Sequence, residues 1–370
     1  MSDIIERLEH IVVDSTIKAR GTSVAKRRRR NPTKPSAKWI APARIGNKVG
    51  MALAVVLGTV GCSHARGDSG GCTMCSYLLD GDERSPTSDE LLQQFDAAFS
   101  DSTDESTPLS VKIYTSGSFF DTAEIPADVR AKILARIARD DRIQEVVIES
   151  RPEYVTPGFM RETRDILGSR RVELGIGLES SNDAVRSICI NKGFSLGTFK
   201  DSVATAKEYD IGVRAYVLLK PPFLTERDAL LDAVKTIEDA AKLGVSTISM
   251  NPVNIQKYTL VERLWLKEQY RPPWLWTVLS VLRDAWEEVG SSVNILCDPV
   301  AAGKPRGAHN CGSCDESITN AIREFSIHQD VSVFDSLDCN CKRQWHHVLN
   351  HEDISLLIHS RSRRNPVGKA

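Results

Sequence analysis

The sequence predicts an α/β fold: a curved parallel sheet of six βα units, a partial (βα)6 barrel, followed by a helical, cysteine-rich extension. Three observations predict it. Short apolar, β-branched runs alternate with helical patterns from about Lys48 to Asn251. The runs show little hydrophobic alternation, as in a parallel sheet covered by helices. Polar or cysteine-bearing segments follow each run, and with right-handed crossovers those strand ends are where ligands bind.

The chain divides into residues 1–44, an N-terminal helix and linker; 45–255, the barrel; and 256–370, the extension. Ile4, Ile5, Leu8, Ile11 and Val12 share one face of a short helix. The block Lys26–Arg30 and the prolines Pro32 and Pro35 then read as a basic, exposed linker. The predicted strands are Ala52–Val60, Leu109–Tyr114, Glu145–Glu149, Arg171–Ile176, Gly212–Leu219 and Ser246–Met250. Between them lie helical stretches at Asp89–Phe99, Ala127–Arg139, Thr156–Leu167, Leu196–Tyr209 and Glu226–Leu243. After Asn251, Trp265, Trp274, Trp276 and Trp286 crowd a short span, and an apolar run, Ser292–Leu296, precedes a second group of cysteines.

A formal net charge of −1 over 370 residues gives no overall field that would draw nucleic acid. Local basic segments, Lys26–Arg30 and Arg361–Lys369, can contact phosphates or stay solvated. Of nine cysteines, Cys189 stands alone and reads as a small buried hydrophobe. The rest form two groups whose CxxC and CxC spacings suit metals rather than disulfides. Gly50–Gly61 mimics a lipoprotein signal, but it is too short to span a bilayer and lies too far from the start, so it reads as a buried strand. With no signal or membrane-spanning segment, the expected location is the reducing cytoplasm, with no membrane partner.

Cys62, Cys72 and Cys75 follow the first strand. Three thiolates on one loop can hold three irons of a [4Fe-4S] cluster and leave the fourth open to a ligand. A zinc site completed by His64 or Asp68 is the alternative.

The pattern Cys-x9-Cys-x2-Cys opening such a barrel resembles the radical S-adenosylmethionine (SAM) superfamily, in the branch that includes the Elp3 proteins. The first gap is longer than the superfamily's commonest spacing. Met74 matches the position that packs against adenine. Ser116-Gly117-Ser118 stands where the family's Gly-Gly-Glu segment holds the SAM amino group. Ile148-Glu149-Ser150-Arg151-Pro152, Gly177-Leu178-Glu179-Ser180 and Asn191-Lys192-Gly193 resemble three further phrases of the branch. Over residues 45–345 the chain looks most like the radical SAM proteins of archaeosine biosynthesis, the β subunits of archaeosine synthase. The resemblance implies a 5′-deoxyadenosyl radical made from SAM on the three-cysteine cluster. It implies Glu149 and Glu179 near ribose or amino groups, and Arg186 and Lys192 near the SAM carboxylate. It further implies a tRNA substrate, cleavage of the lysine C–N bond of a lysine-modified 7-deazaguanine, a lysine-transferring α-type partner subunit, and a ferredoxin or flavodoxin as electron donor.

Cys311, Cys314, Cys339 and Cys341 fit a structural zinc site, with Cys297 a fifth thiol that can replace one of the last pair. An accessory iron–sulfur cluster is the rival. His347 and His351 are spaced to ligate together, though helix histidines are more often solvated. Two other functions compete: a different radical SAM reaction on RNA or a small molecule, and a non-catalytic zinc protein associated with RNA.

Overall fold

The computed structural model of the chain describes residues 2–23, 30–81, 84–99 and 109–353. The block at 26–29 and the tail at 361–369 lie outside the described residues. Helix α1 (Ser2–Arg20) is followed by a hairpin of β1 (Ala37–Ile45) and β2 (Lys48–Val56). A single turn, α2 (Ser63–Arg66), and α3 (Ser88–Phe99) lead to β3 (Leu109–Tyr114). Then α4 (Ala127–Ala138), β4 (Ile143–Glu149), α5 (Pro157–Leu167), β5 (Arg171–Glu179), α6 (Leu196–Glu208), β6 (Gly212–Leu219), α7 (Glu226–Lys242) and β7 (Thr247–Pro252) alternate. The chain ends in α8 (Leu260–Leu266), α9 (Leu275–Val289), β8 (Asn294–Leu296), α10 (Asp315–His328) and α11 (Lys342–His351).

One sheet of eight strands runs in the order β1 to β8. Its first pair is antiparallel and all the rest are parallel. The six predicted strands are β2 to β7. Two more extend the sheet where the sequence suggested none. Residues 37–45 carry Pro42 and leave Trp39 and Ile40 exposed, so their pattern resembles a linker, but proline is tolerated on an edge strand. The apolar run before Cys297 pairs with β7 through Asn294, Ile295 and Leu296.

Helix starts are written locally. Thr156, Ser195, Thr225 and Thr259 each accept the backbone N–H three residues on, at the heads of α5, α6, α7 and α8. Each such cap contributes about 1 kcal/mol.

The sheet curls far enough that its ends meet at the base. Arg44 on β1 donates to Asn294 Oδ1 on β8 at 3.1 Å and to the Ile327 carbonyl at 3.1 Å. The strands do alternate, contrary to the sequence reading. Outward residues such as Val111, Ile113, Val146, Ile148, Leu174, Ile176, Val213 and Ala215 are buried beneath the helices. Inward positions carry Ser110, Lys112, Tyr114, Glu145, Glu149, Glu173, Gly175, Arg214 and Tyr216. The barrel interior is a polar chamber, not a packed core.

Its floor is a buried ion network. Arg214 binds Glu173 at 2.7 Å and lies 3.6 Å from Glu145. Arg171 reaches Glu173 at 2.6 Å and Glu145 at 3.1 Å. Ser110 donates to Glu145 and Thr247 to Glu173, both at 2.8 Å. Burial alone would push the Glu173 carboxyl up, but Arg214, Arg171 and the Thr247 bond hold it down at about 2. Removing one partner of such a network leaves an uncompensated buried charge. Arg214→Met should therefore lower the unfolding free energy by about 3–5 kcal/mol, read from the denaturant midpoint.

The extension is pinned by polar contacts. Glu226, fully buried at the head of α7, binds Lys220 Nζ at 2.6 Å and accepts the Trp274 backbone N–H at 2.8 Å. Trp345 on α11 donates to Thr277 on α9 at 2.8 Å.

Candidate functional site

Cys62, Cys72 and Cys75 lie at the C-terminal mouth of the barrel, on the loop that leaves β2. All three are free thiols and half-buried. Burial pushes the Cys62 thiol up, partly offset by Arg151, and pushes Cys75 up to about 12. Thiols so placed become thiolates when a metal binds and displaces their protons to solvent.

The loop has little regular structure, so its shape is imposed from outside. The Asn191 side-chain amide donates to the carbonyls of Ser69 and Gly71, each at 2.8 Å. Thr73 donates to the Cys189 carbonyl at 2.7 Å, and its backbone N–H to Ile190 at 2.9 Å. His64 Nε2 meets the Asn191 carbonyl at 2.7 Å. All these partners flank or end a short π-helical segment, Val185–Ile190. From the other side, Arg20 on α1 donates to the Gly70 carbonyl at 2.9 Å and the Cys75 carbonyl at 3.3 Å. Sequence reasoning missed Arg20 and Asn191 as loop supports. The only signal was that Asn191 sits within the phrase Asn191-Lys192-Gly193.

The loop after β3 closes against the first cysteine. A Cβ on Gly117 would stand 2.5 Å from Cys62 Cα and 2.0 Å from Glu124 Oε1, so only glycine allows this approach. The Ser118 backbone N–H donates to Glu124 at 2.9 Å, and Ser118 Oγ accepts the Arg151 backbone N–H at 3.0 Å. Ser116 Oγ is buried without a hydrogen-bond partner. Met74 packs with Cys72 against an apolar cluster that includes Ile190, Ile255 and Val261.

Two carboxylates stand on neighbouring strands at this mouth. Burial pushes Glu149 up to about 8, with Lys192 opposing. Glu179 occupies the left-handed region (φ 65°) at a bulge in the β5–β6 ladder and binds Lys192 Nζ at 2.7 Å. A Cβ on Gly177 would lie 2.4 Å from that ammonium. Arg186 is placed differently from the sequence expectation. It is 1% exposed, and its guanidinium donates to the carbonyls of Ser180 and Phe194 and pairs with Asp183. A guanidinium with three internal partners fastens the π-helical turn.

An open iron site on a three-cysteine loop needs thiols spread over one face, acceptors close by and a glycine-permitted close approach. These residues fit that group. They are also spread more widely than ligands of a single ion. Among the described residues, the C-terminal cysteines form the one group of three or more such ligand atoms all within 4.8 Å of one another.

In that second centre, Cys311–Cys339 and Cys314–Cys341 are 3.7 Å apart and Cys311–Cys314 4.0 Å. Four thiolates about 2.3 Å from one tetrahedral ion stand about 3.8 Å apart. A multi-iron cluster, with its irons between the thiolates, holds them farther apart. Cys314 and Cys341 sit at the starts of α10 and α11, and burial pushes both thiols up. Asn310 donates to Cys314 Sγ at 3.4 Å and Trp276 to Cys341 Sγ at 3.3 Å. The backbone N–H of Ser313 helps hold the Cys311 thiol down to about 6. Cys297 is not a member: it is 1% exposed in the core, its backbone tied to Ser326 at 2.8 Å. Proximity in sequence did not become proximity in space. His347 and His351 pack on each other, exposed and outside the group.

An open parallel barrel with three cysteines on its first mouth loop is the arrangement expected from the sequence's resemblance to the radical SAM superfamily. No known protein-family model matches the chain. Archaeosine synthase subunit beta of Methanosarcina acetivorans is 39% identical over 326 residues, 88% of this chain and 93% of that protein. Archaeosine synthase subunit beta of Thermococcus kodakarensis is 37% identical over 312 residues, 84% of this chain and 95% of that protein. The chain belongs to the archaeosine synthase subunit beta family. Among solved structures, Elp3 of Methanocaldococcus infernus overlaps with a TM-score of 0.46 at 13% identity, covering 58% of this chain and 54% of its own. Coproporphyrinogen III oxidase of Escherichia coli, a radical SAM enzyme, gives 0.33 at 12% identity, covering 57% of this chain and 45% of its own.

Two outcomes follow. Gly117→Ala should cut the iron retained at the three-cysteine loop after reconstitution by at least about half, since the clash falls on backbone that cannot yield; iron analysis per chain reads it. The second centre should hold one ion that survives replacement of Cys62, Cys72 and Cys75 by Ala. Cys314→Ala should release that ion and lower Tm by several degrees.

Proposed function

We propose that this protein acts on tRNA, cleaving the lysine C–N bond of a lysine-modified 7-deazaguanine so that the nitrogen remains on the base as the formamidine of archaeosine. The observation that carries the reading is the three-cysteine loop at the barrel mouth in a chain 39% identical to an archaeosine synthase subunit beta. Cys62, Cys72 and Cys75 would hold a [4Fe-4S] cluster. When bound, the cluster with SAM would supply a 5′-deoxyadenosyl radical able to take a hydrogen atom from a lysine side chain.

The chain's own residues position and shield that chemistry. Ser116 Oγ and the backbone at Gly117 offer acceptors for the ammonium of SAM, and Met74 an apolar surface for its adenine. Glu149 and Glu179 offer carboxylates for hydroxyl or ammonium groups. The protein orients the reactants and excludes water, while the hard chemistry is the cofactor's. Arg186 acts by fastening the turn that presents Asn191 to the cysteine loop.

The relatives' designation as subunit beta supports a partner, here a lysine-transferring subunit. A ferredoxin or flavodoxin would deliver the electron. The second centre would hold zinc in a structural role, tying α10 and α11 to the extension. No helix among the described residues is long and apolar enough to cross a membrane, and we assign the work to the cytoplasm.

The test is 5′-deoxyadenosine release from SAM and dithionite after anaerobic reconstitution, followed by the same assay with lysine-bearing tRNA. Wild type should release it and the variant with all three cysteines changed to Ala should not. Wild-type protein that holds zinc without iron and cleaves no SAM would sink the reading in favour of a non-catalytic role.

A further inference from the structure

Between the ion network on the floor and the cysteine loop at the mouth, the barrel encloses a chamber walled by inward residues of β3 to β6. Lys112 projects into it. Its register partners are Ala54 on one side and Val147 on the other, neither able to meet an ammonium. Its charged neighbours are Arg214, Glu145, Glu173 and Asp298, yet it forms no hydrogen bond or ion pair with any of them. The two glutamates already share the two arginines of the floor. Two positive and two negative charges balance there, and Lys112 stands outside that network. Burial and Arg214 draw its ammonium down to about 8, which leaves it charged at neutral pH.

The residues around it leave room and a second donor. Tyr216 Oη is buried beside the Tyr114 hydroxyl, and of the two O–H groups only one is spent on that contact. Tyr216 lies over Gly175, where a Cβ would come within 2.4 Å of its hydroxyl oxygen. Tyr114 stands two residues nearer the mouth than Lys112 on the same face of β3. Trp39, 49% exposed on β1, stacks on Tyr114 at 6.1 Å and 8°, so the wall toward the open side is aromatic.

We propose that Lys112 is the receptor for the carboxylate of an amino-acid moiety on the substrate, with the Tyr216 hydroxyl donating to the same group. A single cation and a neutral hydroxyl above a floor of glutamates match a monoanion. A phosphate dianion draws several cations, and Glu145 and Glu173 would repel it. The assignment rests on the reading of the substrate as a lysine-bearing base. It gives a role to a half-buried ammonium that the floor network leaves outside.

The experiment measures equilibrium binding of L-lysine, L-lysinamide and inorganic phosphate to the reconstituted protein, for wild type, Lys112→Met, Lys112→Arg and Tyr216→Phe. A hydrogen-bonded charge pair should make wild type favour L-lysine over L-lysinamide by about 10- to 100-fold. Lys112→Met should erase that preference, Lys112→Arg keep most of it, and Tyr216→Phe reduce it several-fold. Thermal melts confirm folding, and if Lys112→Met does not fold the other two variants decide. Equal affinity of wild type for lysine and lysinamide, a preference that survives Lys112→Met, or phosphate binding that outcompetes lysine would each overturn the proposal. Turnover of lysine-bearing tRNA by wild type is scored separately. If none occurs while lysine binding depends on Lys112, the substrate reading fails and the receptor stands.

Discussion

The cysteine loop depends on one side chain that is not part of it. Residues 67 to 75 form no helix or strand of their own, and a loop of that length costs conformational entropy to hold. The Asn191 amide meets that cost with two donors on the carbonyls of Ser69 and Gly71, while its own carbonyl receives His64. Asn191 can do this because it lies at the end of a π-helical turn in the left-handed region, φ 56°, a conformation asparagine tolerates better than most residues. Behind it, Arg186 spends its guanidinium holding that turn together. The three thiols therefore inherit their geometry from β5 (Arg171–Glu179) and the turn after it, far downstream in the sequence.

The barrel scaffold was legible in the sequence because strand runs and helix caps are local signals. So were the three cysteines, whose spacing and place after a strand carry their chemistry. What was not legible depends on contacts made over distance. In Leu-Ser-Val-Lys-Ile-Tyr the alternation is present, but attention to apolar content hid that Ser110, Lys112 and Tyr114 face inward. β1 was obscured by Pro42 and by the exposure of Trp39 and Ile40, which only a sheet edge makes sensible. Arg186 looked available for a ligand because a sequence does not show that Ser180, Phe194 and Asp183 claim it. Cys297 looked like a fifth ligand because it is near the others in sequence, yet β8 directs it into the core.

The two cysteine centres divide by geometry as well as position. The first sits on a glycine-rich loop at a mouth, with its thiols spread and half-buried. The second closes tightly on itself, with two helices starting at its ligands and amide and indole N–H groups aimed at its sulfurs. The first is arranged for something to approach it, the second to keep things in place. Inside the barrel lies a chamber whose polarity is unusual for a small barrel, which ordinarily fills its interior with packed side chains. The Arg214 network makes that polarity tolerable by leaving its carboxylates and guanidiniums with partners.

The meeting of the sheet's two ends at Arg44 bears on solubility. An open sheet presents rows of unpaired backbone groups that recruit strands from other chains. Here one edge carries a proline and is clasped at its base. The other is a strand of three residues, Asn294–Leu296, lying beside α10. The β1 edge is nine residues long but interrupted by Pro42, and the β8 edge is too short to template a partner. A half-open barrel thus limits the strand pairing that its openness would otherwise invite.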